Sequence, residues 1–344
     1  MKTVLAMLLA GCCSASAQTL RMPYPDFPEK LGVAGAFMGI SNGVAIVAGG
    51  SNFDKPLWAG GTKRLLNDIW ILRNEPNGYW AWIHGGKLPF RISNGASVTA
   101  PQGVVCIGGT TEAGETDNVF RLRWNVDKQL VELTHLPVLP QACAYSSAAI
   151  FENRILVAGG KEAGSPDGMD NFWELDMKQH PLRGWQSVGK LPTPRFGAVF
   201  AVLEDNGNPY LLLASGKRGR DYLTDGYRRV LDGPERVWTP LGAMPRAALA
   251  APTVTADGTQ LLVFGGSDGV NIESRLAMRD DYHLNDTILR YDMRTKVWMA
   301  IGRMPVGVVA THAFPWEGGV LLVGGELGNA MRSRKSWWFD GLND

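Results

Sequence analysis

The sequence predicts an all-β fold, a single six-bladed β-propeller, and two observations support this prediction. The first is a recurring apolar run that ends in a Gly-Gly pair or a close variant: AIVAGG, VVCIGG, ILVAGG, LLLASG, LLVFGG and LLVGGE. The pairs are 59, 51, 56, 50 and 59 residues apart, which is typical of a radial repeat with one blade per unit. The second is the pattern between these runs. Short stretches rich in β-branched and aromatic residues alternate there with Gly, Asn, Asp and Pro, and each is too short for a helix.

One repeat, residues 238–291, shows the strands of a unit. A tight turn at Asp257-Gly258 separates an apolar run from the run that ends in Gly-Gly, and the stretch DTILRYD follows after a long loop. A short strand that holds a tryptophan opens the next unit at Trp298. We therefore assign four strands to each blade: A before the tight turn, B up to Gly-Gly, C after the long loop, and D around the tryptophan.

The same pattern predicts six C strands but only five D strands. The C strands are expected at residues 68–72, 118–122, 171–175, 226–230, 287–291 and 336–340, and the D strands around Trp82, Leu133, Trp185, Trp238 and Trp298. Residues 20–22 have the form of a D strand, and we expect them to complete the last blade and close the ring. The regular spacing of the tryptophans indicates packing between blades rather than sugar stacking.

Composition narrows the class of protein. The 344 residues include 42 glycines, about twice the usual share. Beyond residue 17 the chain has 33 basic and 33 acidic side chains, so charge gives no support for binding nucleic acid or an anionic membrane. No later stretch approaches about 20 uninterrupted apolar residues, so no membrane-spanning segment is predicted. Cys106 and Cys143 lie in apolar surroundings, where buried free thiols are expected and a disulfide remains the alternative.

The N-terminus has the pattern of an export signal. Lys2 is followed by an apolar stretch and by Ala15-Ser16-Ala17, a small-x-small cleavage site. We expect residues 1–17 to be a signal peptide, 18–344 to form the propeller domain, and the protein to be periplasmic. The alternative is a lipoprotein signal that ends before Cys12, which would leave Cys12 as a lipid anchor in the outer membrane.

Strand direction predicts which face carries the chemistry. Strands of a blade alternate in direction, so the B-to-C and D-to-A connections emerge on one face. Three D-to-A turns contain an arginine, Arg91, Arg195 and Arg246. Three arginines around a common mouth would suit an anionic small ligand, whereas each alone is typical of a turn-bracing residue.

The candidate reactive groups are few. The five histidines, His84, His135, His180, His283 and His312, show no metal-ligand spacing, and no metal site is predicted. No nucleophile elbow or phosphate-binding loop is present. Glu326 follows the last Gly-Gly directly, and Arg332 lies six residues further on. A carboxylate beside a guanidinium could accept a proton while the cation holds an anionic substrate, and a solvated loop ion pair is the alternative.

These residues resemble a known family. The repeat pattern is that of kelch propellers, and GELGNAMR at 325–332 resembles the G-E-x-x-x-G-x-R loop of the bacterial N-acetylneuraminate epimerases, the sialic acid mutarotases. The order of the blades is similar to the cyclically permuted branch of that family. The segments that carry this similarity are 32–36, 49–53 and 102–109.

The resemblance implies a cofactor-independent isomerase that interconverts the α and β anomers of N-acetylneuraminate. It implies Glu326 as proton acceptor with Arg332 as its companion. Asn52, Phe53 and Lys63 match the first long loop of the family, which assigns them no individual role, and we predict that they are substrate-binding residues. Ala330 departs from the glycine of the family loop. The alternatives are a non-catalytic kelch module that binds carbohydrate or protein, and a propeller enzyme for another sugar. The oligomeric state stays open between monomer and homodimer.

Overall fold

The computed structural model describes residues 20–21, 23–179, 183–233 and 236–340, and for residues 20 and 21 only the backbone. The predicted signal segment 1–17, with Cys12, and one histidine, His180, lie outside the described residues.

The chain forms the predicted six-bladed β-propeller, in which each blade is a four-stranded antiparallel sheet with strands in the order A-B-C-D. The A strands are Phe37–Ser41, Ala96–Ala100, Ser147–Phe151, Val199–Asp205, Thr253–Ala256 and Ala313–Trp316. The B strands are Val44–Ala48, Gly103–Ile107, Arg154–Ala158, Asn208–Ala214, Gln260–Phe264 and Gly319–Val323. The C strands are Asp68–Asn74, Val119–Asn125, Met169–Asp176, Gly226–Val230, Thr287–Asp292 and Ser336–Phe339.

The D strands complete the blades, and they are Trp80–Lys87, Leu130–His135, Gln186–Arg195, Thr239–Leu241, Val297–Arg303 and, in the last blade, Leu20–Arg21. Leu20 and Arg21 pair antiparallel with Phe339 and Trp338 of the last C strand. Two predicted D strands start one residue late, because Trp185 and Trp238 stand immediately before their strands rather than within them.

Short elements lie in the B-to-C connections. Four of the six contain a small hairpin: Ser51–Phe53 with Lys63–Leu65, Thr110–Thr111 with Gly114–Glu115, Lys217–Arg218 with Asp221–Tyr222, and Glu326–Gly328 with Met331–Arg332. The helical turns are Leu57–Ala59, Arg275–Met278 and Arg279–Asp281. Among the described residues, no helix is long and apolar enough to cross a membrane.

The hydrophobic core is divided among the contacts between neighbouring blades. Six clusters of buried side chains each combine strands of two successive blades, and one of them joins the last blade to the first. In that cluster Phe314 and Leu321 pack with Met38 and Val47. Burial of apolar area at every blade contact is therefore the main force that holds the ring together.

The tryptophans pack between blades, as their spacing predicts. The indole nitrogens of Trp82, Trp185 and Trp238 each donate a hydrogen bond, at 2.9 to 3.0 Å, to a backbone carbonyl of the preceding blade. Cys106 and Cys143 are buried and free of disulfides. Burial raises the pKa of the Cys143 thiol to about 12 and that of Cys106 well above its usual value, so both thiols are neutral packing residues.

Six residues, one from each D-to-A connection, form a closed ring of backbone hydrogen bonds at one end of the central channel. We call this ring the collar; it comprises Gly35, Asn94, Tyr145, Gly197, Ala250 and Ala310. Each N–H donates to the carbonyl of the collar residue in the preceding blade, at 2.6 to 2.9 Å, and Gly35 donates to Ala310 to close the circle. All six residues have φ between 53° and 65°, so the collar needs the left-handed conformation even at Tyr145, Ala250 and Ala310.

Candidate active site

The predicted common face is confirmed by six backbone contacts that recur around the propeller. In each blade the residue after the glycine pair forms an isolated β-bridge with the residue that precedes the collar residue. The B-to-C and D-to-A connections thus lie side by side, and we call their side of the propeller the loop face. The bridge places one equivalent residue of every blade next to the collar: Ser51, Thr110, Lys161, Lys217, Ser267 and Glu326.

Glu326 is the acidic member of this set, and it is paired with Arg332. The two residues lie directly opposite each other across the last hairpin, and Arg332 Nη1 donates to Glu326 Oε2. The Arg332 side chain is 6% exposed and the Glu326 side chain 28% exposed. A carboxylate open to solvent over a buried cation is suited to accept a proton from a bound ligand.

The turn of this hairpin makes hydrogen bonds to the loop of the preceding blade and to Glu326. Asn329 Nδ2 donates to the carbonyls of Arg275 at 2.9 Å and Arg279 at 2.6 Å, in the loop of the preceding blade. Ala330, where the family loop has glycine, adopts φ 64°, at a cost of about 1 kcal/mol relative to glycine. Its N–H points at Glu326 Oε1 at 3.3 Å, so the strained turn supplies a donor to the carboxylate.

The first-blade loop supplies the neighbours of this pair, because the last and first blades are adjacent. The Phe53 ring lies 5.0 Å from the Arg332 guanidinium, and Arg332 Nε donates to the Ser51 carbonyl at 3.4 Å. Lys63 pairs with Phe53 across the first hairpin. Burial lowers the pKa of Lys63, the Arg332 charge lowers it further, and Glu326 opposes both effects.

Asn52 is fully buried behind this group. Its Nδ2 donates to the Gly32 carbonyl at 3.4 Å, and its Oδ1 has no hydrogen-bond partner in the described part of the chain. The structure thus brings Phe53, Lys63, Glu326 and Arg332 together and places Asn52 beneath them.

The three arginines of the D-to-A turns do not meet in a common mouth. Arg195 is fully buried and forms a bidentate pair with Asp225, with both contacts at 2.8 Å. Arg246 donates to the carbonyls of Ala247, Gly265 and Thr287. Arg91 is exposed and pairs with Glu112 at 3.1 Å. The terminal nitrogens of Arg195 and Arg246 donate to groups of the protein itself, and all three arginines match the turn-bracing or surface alternative.

Two lysines occupy positions equivalent to Glu326 in the third and fourth blades. Lys161 Nζ lies 5.6 Å from the centre of the Phe196 ring, and Lys217 Nζ lies 4.6 Å from that of Tyr222. Neither ammonium has a carboxylate partner among the residues that the structure describes. Both are therefore available to an anionic ligand on the loop face, and the sequence reasoning missed them.

Tyr145 is a further residue that the sequence reasoning missed. It is the collar residue of the third blade and the one bulky side chain of the collar. Asn94 Nδ2 donates to its hydroxyl at 2.9 Å. Burial raises the pKa of Tyr145, and the negative charges of Glu326 and Glu115 add to this, while Arg332 opposes them. The charges of Glu326 and Arg332 thus act on this hydroxyl.

A cavity of about 480 Å³ lies between the A strands and is bounded at one end by the collar, whose six residues contribute to its lining. Its lining includes Met38, Thr99, Thr255 and His312, and it contains no Asp, Glu, Lys or Arg among the described residues. No group of three metal-ligating side chains occurs in the described ranges either. The chemistry-bearing side chains are therefore concentrated on the loop face.

Comparisons with known proteins agree with this architecture. A kelch motif matches residues 248–305. The N-acetylneuraminate epimerase of Vibrio cholerae serotype O1 is 36% identical over 118 residues, which are 31% of this chain and 29% of that protein. That of Yersinia enterocolitica is 25% identical over 232 residues, 58% of this chain and 56% of that protein. The structure of YjhT covers 94% of this chain and 98% of its own, with a TM-score of 0.69 and 14% identity, and shows the same fold.

Proposed function

We propose that this chain interconverts the α and β anomers of N-acetylneuraminate. It is a kelch propeller of the sialic acid mutarotase type. The two relatives are matched over 29% and 56% of their own length, so the proposed activity rests on the site as well. The observation that carries the proposal is the Glu326–Arg332 pair, in which a buried guanidinium holds a solvent-accessible carboxylate beside the collar.

The reaction needs two proton transfers and no redox step. Glu326 takes the proton of the anomeric hydroxyl, the bond between the anomeric carbon and the ring oxygen breaks, and the ring oxygen receives a proton. The open-chain ketone rotates by half a turn. The resulting hydroxyl then attacks the other face of the carbonyl and returns its proton to the group that supplied it, while Glu326 gives its proton to the carbonyl oxygen, which becomes the new anomeric hydroxyl. In this scheme side chains of the protein carry out all the proton transfers.

The substrate carboxylate needs a cation that is not already neutralised. Arg332 is paired with Glu326 and Lys63 belongs to the same cluster, whereas Lys161 and Lys217 lie in other blades and have no carboxylate partner in the described part of the chain. We therefore assign the carboxylate to the side of the loop face formed by the third and fourth blades. This orientation points the sugar ring towards Glu326 across the collar.

The test is proton NMR of freshly released α-N-acetylneuraminate with and without the protein. The native protein is expected to accelerate equilibration, and Glu326→Gln to reduce turnover by about 10² to 10⁴-fold, because the amide cannot accept the proton. Glu204→Gln is a matched control, because Glu204 is an exposed carboxylate at the A-to-B turn, on the opposite face.

The outcomes separate the proposal from its rivals. Equilibration no faster than in buffer would remove the mutarotase activity. Unchanged sugar binding by Glu326→Gln together with an inactive native protein would instead support a kelch module that only binds. Turnover of a different free sugar would support a propeller enzyme with another substrate.

Residues 1–17 add a proposal about location. Their export pattern supports a periplasmic protein, with a lipid-anchored form at Cys12 as the alternative. Mass spectrometry of the mature N-terminus distinguishes a chain that begins after Ala17 from one that begins at a lipidated Cys12.

A further inference from the structure

We infer that the Tyr145 hydroxyl donates the proton to the ring oxygen of the sugar, and that Asn94 positions this hydroxyl. The inference rests on the proposed function and supplies the proton donor that Glu326 alone leaves unassigned.

The collar places Tyr145 opposite the Glu326 blade. In the cyclic order of the six collar residues Tyr145 is three positions from Ala310, and Ala310 directly follows Val309, whose backbone bridges to Glu326. A sugar ring that rests on the collar is therefore flanked by Glu326 on one side and Tyr145 on the other. This is the arrangement that ring opening needs, with the base and the acid on different oxygens of the sugar.

The hydroxyl has a proton to give. It accepts a hydrogen bond from Asn94 Nδ2 at 2.9 Å, and it donates to no acceptor among the described residues. Asn94 thus uses the oxygen lone pair and leaves the O–H free to point at a ligand. Burial and the nearby Glu326 charge raise the pKa of Tyr145, so the hydroxyl is protonated at neutral pH.

A bulky side chain distinguishes Tyr145 from the other collar residues. Ala250 and Ala310 hold the same left-handed φ, 53° and 55°, so the backbone strain is shared and not peculiar to the tyrosine. The collar backbone therefore does not itself require a phenol at this position.

The proton balance closes over one cycle. In ring opening, Tyr145 transfers its proton to the ring oxygen as the carbon–oxygen bond breaks, and Glu326 takes the proton of the anomeric hydroxyl. In ring closure the tyrosinate regains a proton from the attacking hydroxyl while Glu326 protonates the carbonyl oxygen. The nearby Arg332 charge lowers the free energy of the transient tyrosinate.

The test compares the native protein, Tyr145→Phe and Tyr227→Phe in the same NMR measurement of α-N-acetylneuraminate. Tyr145→Phe is expected to reduce kcat by about 100-fold or more with little change in KM, because proton donation is lost and the ring remains. Tyr227, which packs beneath Arg195, is the matched control and should keep full activity. Added imidazolium should partly restore Tyr145→Phe, since a small acid can replace the phenol, whereas it cannot repair a packing defect.

A second variant keeps the inference open to refutation if Tyr145→Phe does not fold. Asn94→Asp tolerates the collar conformation but replaces the amide donor with an acceptor that engages the hydroxyl proton, so its turnover should fall as well. An inactive native protein would remove the proposed function itself. An active native protein with a fully active Tyr145→Phe or Asn94→Asp variant would overturn the role of the tyrosine and leave the mutarotase proposal intact.

Discussion

Two arginine–carboxylate pairs of this propeller have a nearly fully buried arginine, and they differ in how their hydrogen bonds are used. The Arg195 side chain is 0% exposed and its partner Asp225 34% exposed; the corresponding values for Arg332 and Glu326 are 6% and 28%. Arg195 makes four hydrogen bonds, two to Asp225 and one each to the carbonyls of Thr193 and Ser215. It is a completed brace within the third and fourth blades.

Arg332 uses less of its hydrogen-bonding capacity than Arg195 does. It makes one hydrogen bond to Glu326 and a long one to the Ser51 carbonyl, its second terminal nitrogen makes none among the described residues, and the remaining face of the guanidinium stacks on Phe53. Burial alone therefore does not mark a functional ion pair. Hydrogen-bonding capacity that remains unused, beside a channel and other charged groups, is the feature that separates the candidate site from the scaffold.

Among substitutions in these two pairs, the largest effect on the rate of anomer exchange is expected at Arg332. Arg332→Met should lower the rate of anomer exchange on the order of 10³-fold, because Glu326 loses the cation that orients it. The exchange rate of Arg332→Lys should lie between those of the native protein and Arg332→Met, since an ammonium keeps the charge but loses the planar guanidinium geometry and its stacking on Phe53. Thermal unfolding should change little. A fully active Arg332→Met protein would remove the pair from the mechanism.

Arg195 should respond in the opposite way. Arg195→Met is expected to destabilise the protein by about 3 kcal/mol, because Asp225 and the Ser215 carbonyl lose their donor. The fraction that remains folded should exchange anomers at the native rate. Urea unfolding measures the first quantity and NMR the second. Lost turnover with undiminished stability would show that Arg195 acts at the site and that the contrast between the pairs is mistaken.

The same residues show how much of the fold and of the candidate site could be predicted from the sequence. The glycine pairs predict the blades because each pair ends a B strand, and Glu326 with Arg332 was predictable because a short hairpin places the two opposite each other. The direction of the Arg195 side chain could not be predicted, since its partner Asp225 lies 30 residues away in the sequence. Tyr145 could not be predicted either, because its position depends on a collar that only six assembled blades create.

His312, a half-buried basic residue, extends the comparison to the far side of the collar. It lines the cavity between the A strands, whose described lining contains no carboxylate to stabilise its charge, and desolvation lowers its pKa to about 4.

The unfolded chain, with an ordinary histidine pKa near 6.5, therefore binds more protons than the native protein between pH 4 and 6.5. Stability should be complete above pH 6.5 and fall as the pH drops towards 4. His312→Gln should flatten this slope in urea unfolding measured across that range. An unchanged slope would mean that the cavity hydrates His312 well enough to charge it, and the contrast between a charged loop face and a neutral channel would then fail.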